Sequence, residues 1–155
     1  MTTAEQIAFK HQLKQFCPSA IEKRITVAQD AMQSSQESAN NEEKSSAGDK
    51  YETARAMGHL QKDMHARQIA EYTKELAALY NVNTGSIYET IQPGSFFETA
   101  TGAFFIAAGL GKQIMDGRTI LFLSASAPLA LALKHKKTGD DFIFNGTRSI
   151  ISLLY

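Results

Sequence analysis

The sequence predicts an α+β chain. An N-terminal antiparallel coiled-coil helical hairpin spans residues 1–82, a linker spans 83–92, and a small antiparallel β-sheet domain with one short helix spans 93–155. Three observations lead to this division. Apolar residues recur at helical spacing on both sides of a polar, acidic stretch at residues 36–61. Between Pro93 and Tyr155 the apolar residues are largely Phe, Ile and Leu, in short runs separated by Gly, Asp and Asn. Asp116-Gly117 precedes one such run, and Asn145-Gly146 is the strongest short hairpin signal in the chain.

The first arm opens with Ile7, Phe9, Leu13 and Phe16 near helical spacing, with Lys10 and Lys14 expected to face elsewhere. Pro18 either kinks this helix or begins a new one at its first turn. Ile21, Ile25, Ala28 and Met32 follow at steps of four, three and four, the spacing of a coiled-coil seam. Beyond Met32 the seam is expected to fade into Ser35, Ala39 and Asn40. Ser-Ser-Ala-Gly then breaks the pattern, placing the hairpin tip near residues 41–49. The second arm, residues 49–80, carries Tyr51, Ala54, Met57, Leu60, Met64, Tyr72, Leu76 and Leu79 as its expected apolar positions. Asp49 stands near its start, where a carboxylate meets free backbone N–H groups. The arm would extend about 48 Å, similar to the first. Asn81 or Asn83, with Gly85, ends it.

In the second half, Ser-Phe-Phe-Glu-Thr and Ala-Phe-Phe-Ile-Ala-Ala surround a turn at Thr101-Gly102. Thr-Ile-Leu-Phe-Leu after Gly117 is apolar enough for a buried strand. Pro128 sits near the first turn of a short helix. Phe-Ile-Phe and the final Arg-Ser-Ile-Ile-Ser-Leu-Leu-Tyr flank Asn145-Gly146 and pair as the last strands.

Composition narrows the function. Hydrophobic residues make up 43% and charged residues 21%, which places the chain among globular proteins. The formal net charge of zero argues against a general nucleic-acid binder, and no sequence-specific DNA binding is expected. That average hides a polarity: residues 37–52 hold five acids against two bases, and residues 111–155 hold six bases against three acids. One cysteine, Cys17, excludes a disulfide within the chain. No apolar run is long enough to span a bilayer, and the first residues lack the pattern of a signal peptide, so a cytoplasmic location is expected.

Residues 116–146, with Pro128, Leu129, Ala132, Leu133, Lys136, Lys137, Gly139 and Asp140 as the carrying positions, resemble the C-terminal domain of the Gre-type bacterial transcript cleavage factors. Pro93-Gly94-Ser95 is similar to that family's domain entry, and residues 49–55 to its segment after the hairpin tip, here with Tyr51 and Arg55. The resemblance implies an FKBP-like C-terminal domain that docks on core RNA polymerase, with Lys134, Lys136, Lys137 and Asp140 as docking candidates. It implies a hairpin that enters the secondary channel and reaches nascent RNA indirectly. Its tip carboxylates, Glu42, Glu43, Asp49 and Glu52 here, would assist a Mg²⁺ shared with the polymerase in hydrolysing backtracked RNA. The chain would have no catalytic residue or metal of its own. The family's tip pattern puts acids four and seven residues before the tyrosine, and here those positions are Ala47 and Lys44. Ala127 stands where the family usually has Ser. Fold and binding mode therefore transfer more readily than stimulation of cleavage.

Each candidate also has a plainer reading. The tip acids can serve as a solvated turn with a helix cap. Tyr51 and Arg55, one helical turn apart, can form a local packing pair. The three lysines can favour the C-terminal dipole of the short helix. Cys17 has no nearby histidine to activate it, the four histidines being scattered along the chain, and is expected to pack or lie exposed. His59 and His65, six apart, do not share a helix face as a zinc pair requires. Two other functions remain open: an FKBP-like chaperone or peptide-binding module, and a self-assembling coiled-coil protein without a polymerase partner.

Overall fold

A computed structural model describes the backbone of residues 1–43 and 48–155, and the side chains of residues 1–41 and 52–155. Helix α1 runs Thr3–Glu43 and α2 runs Gly48–Tyr80. Strands β1 (Phe96–Thr99), β2 (Gly102–Ala107), β3 (Gly111–Met115) and β4 (Arg118–Ser124) follow, then helix α3 (Pro128–Leu133). Strands β5 (Asp141–Phe144), β6 (Thr147–Ile150) and β7 (Leu153–Leu154) complete the chain. The α+β class expected from the sequence is present. Pro18 lies inside α1 and neither ends it nor begins another helix.

The chain divides into two units, Ala20–Lys74 and Met1–Ser19 with Glu75–Tyr155. The first nineteen residues, read from the sequence as part of a hairpin arm, thus group with the C-terminal half. Lys10 and Lys14 explain why. Neither faces away as expected. The Lys10 ammonium, fully buried, donates to the Ser86 carbonyl at 2.5 Å, and Lys14 donates to the Val82 carbonyl at 2.6 Å. His11 Nδ1 lies 2.6 Å from the Thr84 hydroxyl. These bonds tie the segment expected as a linker to α1. Gly94 closes the same segment. With φ +93° its amide donates to the Ile106 carbonyl at 2.7 Å, and a Cβ there would stand 2.1 Å from the Asn83 carbonyl oxygen, so no larger residue fits.

The sheet has strand order β3-β4-β2-β1-β7. It is not wholly antiparallel, as the sequence suggested: β2 and β4 pair in parallel. The reason is β3, a strand the sequence reading left out. The chain leaves β2, passes through residues 108–110 to the sheet edge, and returns through the Asp116-Gly117 turn as β4, which fills the space between. Asp116 and Gly117 both take positive φ, 52° and 76°, as a two-residue hairpin loop requires. Asn145 and Gly146 do the same, at 51° and 76°, but β5 and β6 form a separate two-stranded sheet.

Register assigns the side chains to two faces. Phe97, Phe104, Leu121 and Lys112 align across one face. Its core adds Ile91, Ile106, Ala130, Leu133, Phe142 and Ile151, with the Phe97 and Phe104 rings stacked at 4.8 Å and Phe142 edge-on to both. Phe96, Phe105 and Phe122 align across the other face. There Phe9 and Phe16 of α1 meet Phe96 and Phe122, at ring centroid distances of 5.2 and 5.8 Å, and Tyr155 packs on Phe96 at 5.1 Å. The unit is therefore a sheet covered on both faces.

Candidate functional site

The hairpin unit carries the first group of candidates. Its helices run antiparallel: Ala39 lies against Gly58, Gln36 accepts from Lys62 Nζ at 2.9 Å, and the Ser35 hydroxyl donates to Gln61 Oε1 at 3.4 Å. The α1 seam does not fade beyond Met32. Ser35 and Ala39 continue the same spacing and are both buried. Small residues replace large ones, so the helices approach closely. A Cβ on Gly58 would stand 2.9 Å from the Ala39 Cβ.

This approach corrects the seam expected on α2. Met57, Leu60 and Met64 are 53%, 60% and 46% exposed and form a row on the outer face. The inward face near the tip instead presents buried Gly58, with partly buried Lys62 and His65 below it. Opposite Ser35 and Ala39 there is no room for a Met or Leu, and the polar clasp of Gln36 and Lys62 completes the register. Gly58 was legible as the buried position only through its spacing from Ala54, four residues before it.

Glu52 and Arg55 are exposed near the start of α2. The side chains of Glu42, Glu43, Asp49 and Tyr51, with residues 44–47, lie outside the described residues, so the arrangement of the tip carboxylates does too. Carboxylate oxygens are the donor type that Mg²⁺ takes. Among the described residues no three His, Cys, Asp or Glu side chains gather as a metal site.

The second group surrounds α3. Ala127, with extended backbone, precedes Pro128 at the first helical position, where a missing N–H costs nothing. After Leu133 the chain is held at both ends of the basic segment. His135 donates its amide to the Ile91 carbonyl at 3.1 Å, and the Lys136 carbonyl accepts from the Ile91 amide at 2.8 Å. The Asp140 carboxylate accepts from the Lys137 amide at 2.9 Å, while the Asp140 amide donates to the Lys137 carbonyl at 3.0 Å. Asp140 therefore closes a turn, with Gly139 at φ +94° inside it. Its side chain is committed within the loop, unlike the exposed Lys134 and Lys137. Lys134 borders a small depression with Gln92, Pro93, Ala125 and Leu131. Leu131, 59% exposed, is an apolar element of this surface that the sequence reading did not single out.

The remaining candidates resolve plainly. Cys17 is fully buried and its thiol donates to the Leu13 carbonyl at 3.3 Å. Burial, and then the Glu75 carboxylate, push the thiol up to about 12, so it holds its proton at neutral pH. His65 Nδ1 lies 3.1 Å from Gln68 Oε1. No helix is long and apolar enough to cross a membrane among the described residues.

No family model matches the chain, and no curated protein matches it. Among solved structures, that of the transcription factor Gfh1 is similar over 89% of this chain and 92% of that chain, with 14% identity and a TM-score of 0.38. The likeness is too distant to transfer an activity.

Proposed function

We propose that this chain is a transcription elongation regulator that docks on RNA polymerase through the surface around α3 and inserts its hairpin into the secondary channel. The observation that carries the reading is the narrowing of the hairpin unit. Its arms, residues 20–43 and 48–74, extend roughly 35–40 Å. Where they approach the tip, Ser35, Ala39 and Gly58 bring two helices together with almost no side chain between them. A slim rod ending in carboxylates suits entry into a confined channel. The resemblance of residues 116–146 to the Gre-type factors supplies the partner, and Lys134, Lys136 and Lys137 supply charge for an acidic docking surface.

In this reading the chain is not itself an enzyme. Glu42, Glu43, Asp49 and Glu52 act, if cleavage is stimulated, on a Mg²⁺ shared with the polymerase. The test is transcription in vitro with backtracked and with elongating complexes. Glu42→Gln, Glu43→Gln, Asp49→Asn and Glu52→Gln together should remove the effect while leaving polymerase binding unchanged. If the fourfold variant keeps every effect of the parent, the tip has no role. The exposed row of Met57, Leu60 and Met64 favours self-assembly as a second reading. A molar mass that stays monomeric across concentration rejects it.

A further inference from the structure

Strand β3 is an edge of the five-stranded sheet, and the register of its hairpin shows which groups face outward. Met115 and Arg118 flank a two-residue loop and form a hydrogen-bonded pair, so Gln113 with Ile120 and Gly111 with Phe122 do the same. The N–H and C=O groups of Lys112 and Ile114 therefore point away from β4, toward the open edge. Their side chains lie on the face that carries Leu121 and Phe104.

That face is not fully covered at this end. Ile114 is 74% exposed. Beside it lies a cleft of about 340 Å³, with Phe104, Leu121 and Phe144 as apolar lining and Lys112, Thr119 and Asn145 among its polar residues. The Phe104 and Phe144 rings meet edge-on at 5.5 Å within this lining. No carboxylate pairs with Lys112 among the described residues. The nearest acid along the strand, Asp116, accepts from Gln12 Nε2 at 3.4 Å. An apolar lining with one unpaired cation and a few neutral polar groups is the composition of a ligand cleft.

We propose that the open edge of β3 and the adjoining cleft take an extended acidic peptide as a sixth strand. Residues directly opposite on adjacent strands share a face, so the register is specified. An Asp or Glu of the incoming strand stands opposite Lys112. Two residues along, an apolar side chain stands opposite Ile114 and covers it. Main-chain bonds to Lys112 and Ile114 supply affinity, and the two side-chain positions supply selectivity. An edge lysine ordinarily blunts strand pairing, and a carboxylate opposite Lys112 removes that obstacle, which is why the charge of the peptide is part of the proposal. This surface is separate from the lysine segment after α3 and does not depend on the polymerase reading.

The test uses the full chain and a blocked peptide, Thr-Ile-Thr-Glu-Thr, which in antiparallel pairing sets Glu opposite Lys112 and Ile opposite Ile114, with a Glu-to-Lys version as control. Backbone amide shifts should move saturably at Lys112 and Ile114 with the acidic peptide. Lys112→Glu should weaken that peptide by about fivefold and reverse the preference toward the basic one. Ile114→Pro removes an N–H that no folded-state bond uses, so the thermal transition is preserved while peptide binding is lost. The proposal is overturned by an absence of saturable binding at millimolar peptide, or by shifts confined to residues away from β3. It is equally overturned by affinity indifferent to Lys112→Glu, or by N-acetylglutamate amide binding as well as the peptide.

Discussion

Replacing Gly58 by Ala tests the narrow hairpin in one atom. In an ordinary helix this change adds about 1 kcal/mol of stability, because alanine loses less backbone freedom than glycine. Here the new Cβ would stand 2.9 Å from the Ala39 Cβ and 3.5 Å from the Ser35 carbonyl oxygen. A methyl carbon cannot swing aside as the end of a long side chain can, so the two backbones must separate by roughly 1 Å to reach ordinary contact. Overpacking of this kind costs about 1–3 kcal/mol. The clash outweighs the propensity gain, and Gly58→Ala should destabilise the hairpin unit by about 1 kcal/mol. Ala39→Gly in the same chain removes the opposing methyl and should restore the lost packing, giving a coupling of about 1–2 kcal/mol in a double-mutant cycle. Amide hydrogen exchange along residues 20–74 reads the effect locally. A Gly58→Ala variant that is more stable by about 1 kcal/mol and additive with Ala39→Gly would show that the helices do not approach at this point.

Other expectations follow from the sheet unit. Burial lowers Lys10 from 10.5 to about 8. The folded protein thus releases this proton first, and the cost of burying the charge is present below pH 8 and relieved as pH rises from 8 toward 10.5. Tyr88 and Tyr155, whose rings lie 4.6 and 6.0 Å from the ammonium, are shifted upward by burial and act in the opposite direction at high pH. Comparing denaturant midpoints of the parent and Lys10→Met isolates the lysine: the parent should gain on the variant between pH 8 and 10.5. Cys17 should resist iodoacetamide in the native state and react fully in denaturant, because the thiol is buried and protonated. Phe97→Ala should cost about 3–5 kcal/mol in thermal or denaturant unfolding, since it removes the ring that Phe104 stacks on and Phe142 meets edge-on.

Much of this architecture can be read along the chain because it is locally encoded. Both long helices, the helix start at Pro128, and the turns at Asp116-Gly117 and Asn145-Gly146 carry their own signals. What could not be read depends on partners distant in sequence. Gly-Lys-Gln-Ile-Met does not announce a strand, and β3 exists because β4 pairs with it. The parallel pairing of β2 and β4 follows from that same edge placement. Lys10 reads as a surface residue, yet it is buried against the carbonyl of Ser86, 76 positions away. Met57, Leu60 and Met64 read as seam residues by hydropathy, but the small residues of the opposite arm select Gly58 for the inside. Of the candidate site, the basic segment after α3 was legible from its charge. The structural duty of Asp140 was not, because it rests on a bond to the Lys137 amide.

The central claim is that this chain binds RNA polymerase through the surface around α3. The most direct measurement is equilibrium binding of the purified protein to core RNA polymerase from the same cell, at two salt concentrations. The account predicts saturable binding that weakens with salt and is reduced by Lys134→Glu, Lys136→Glu and Lys137→Glu together in a variant with an unchanged thermal transition. No saturable binding, or binding insensitive to those three changes, would contradict it.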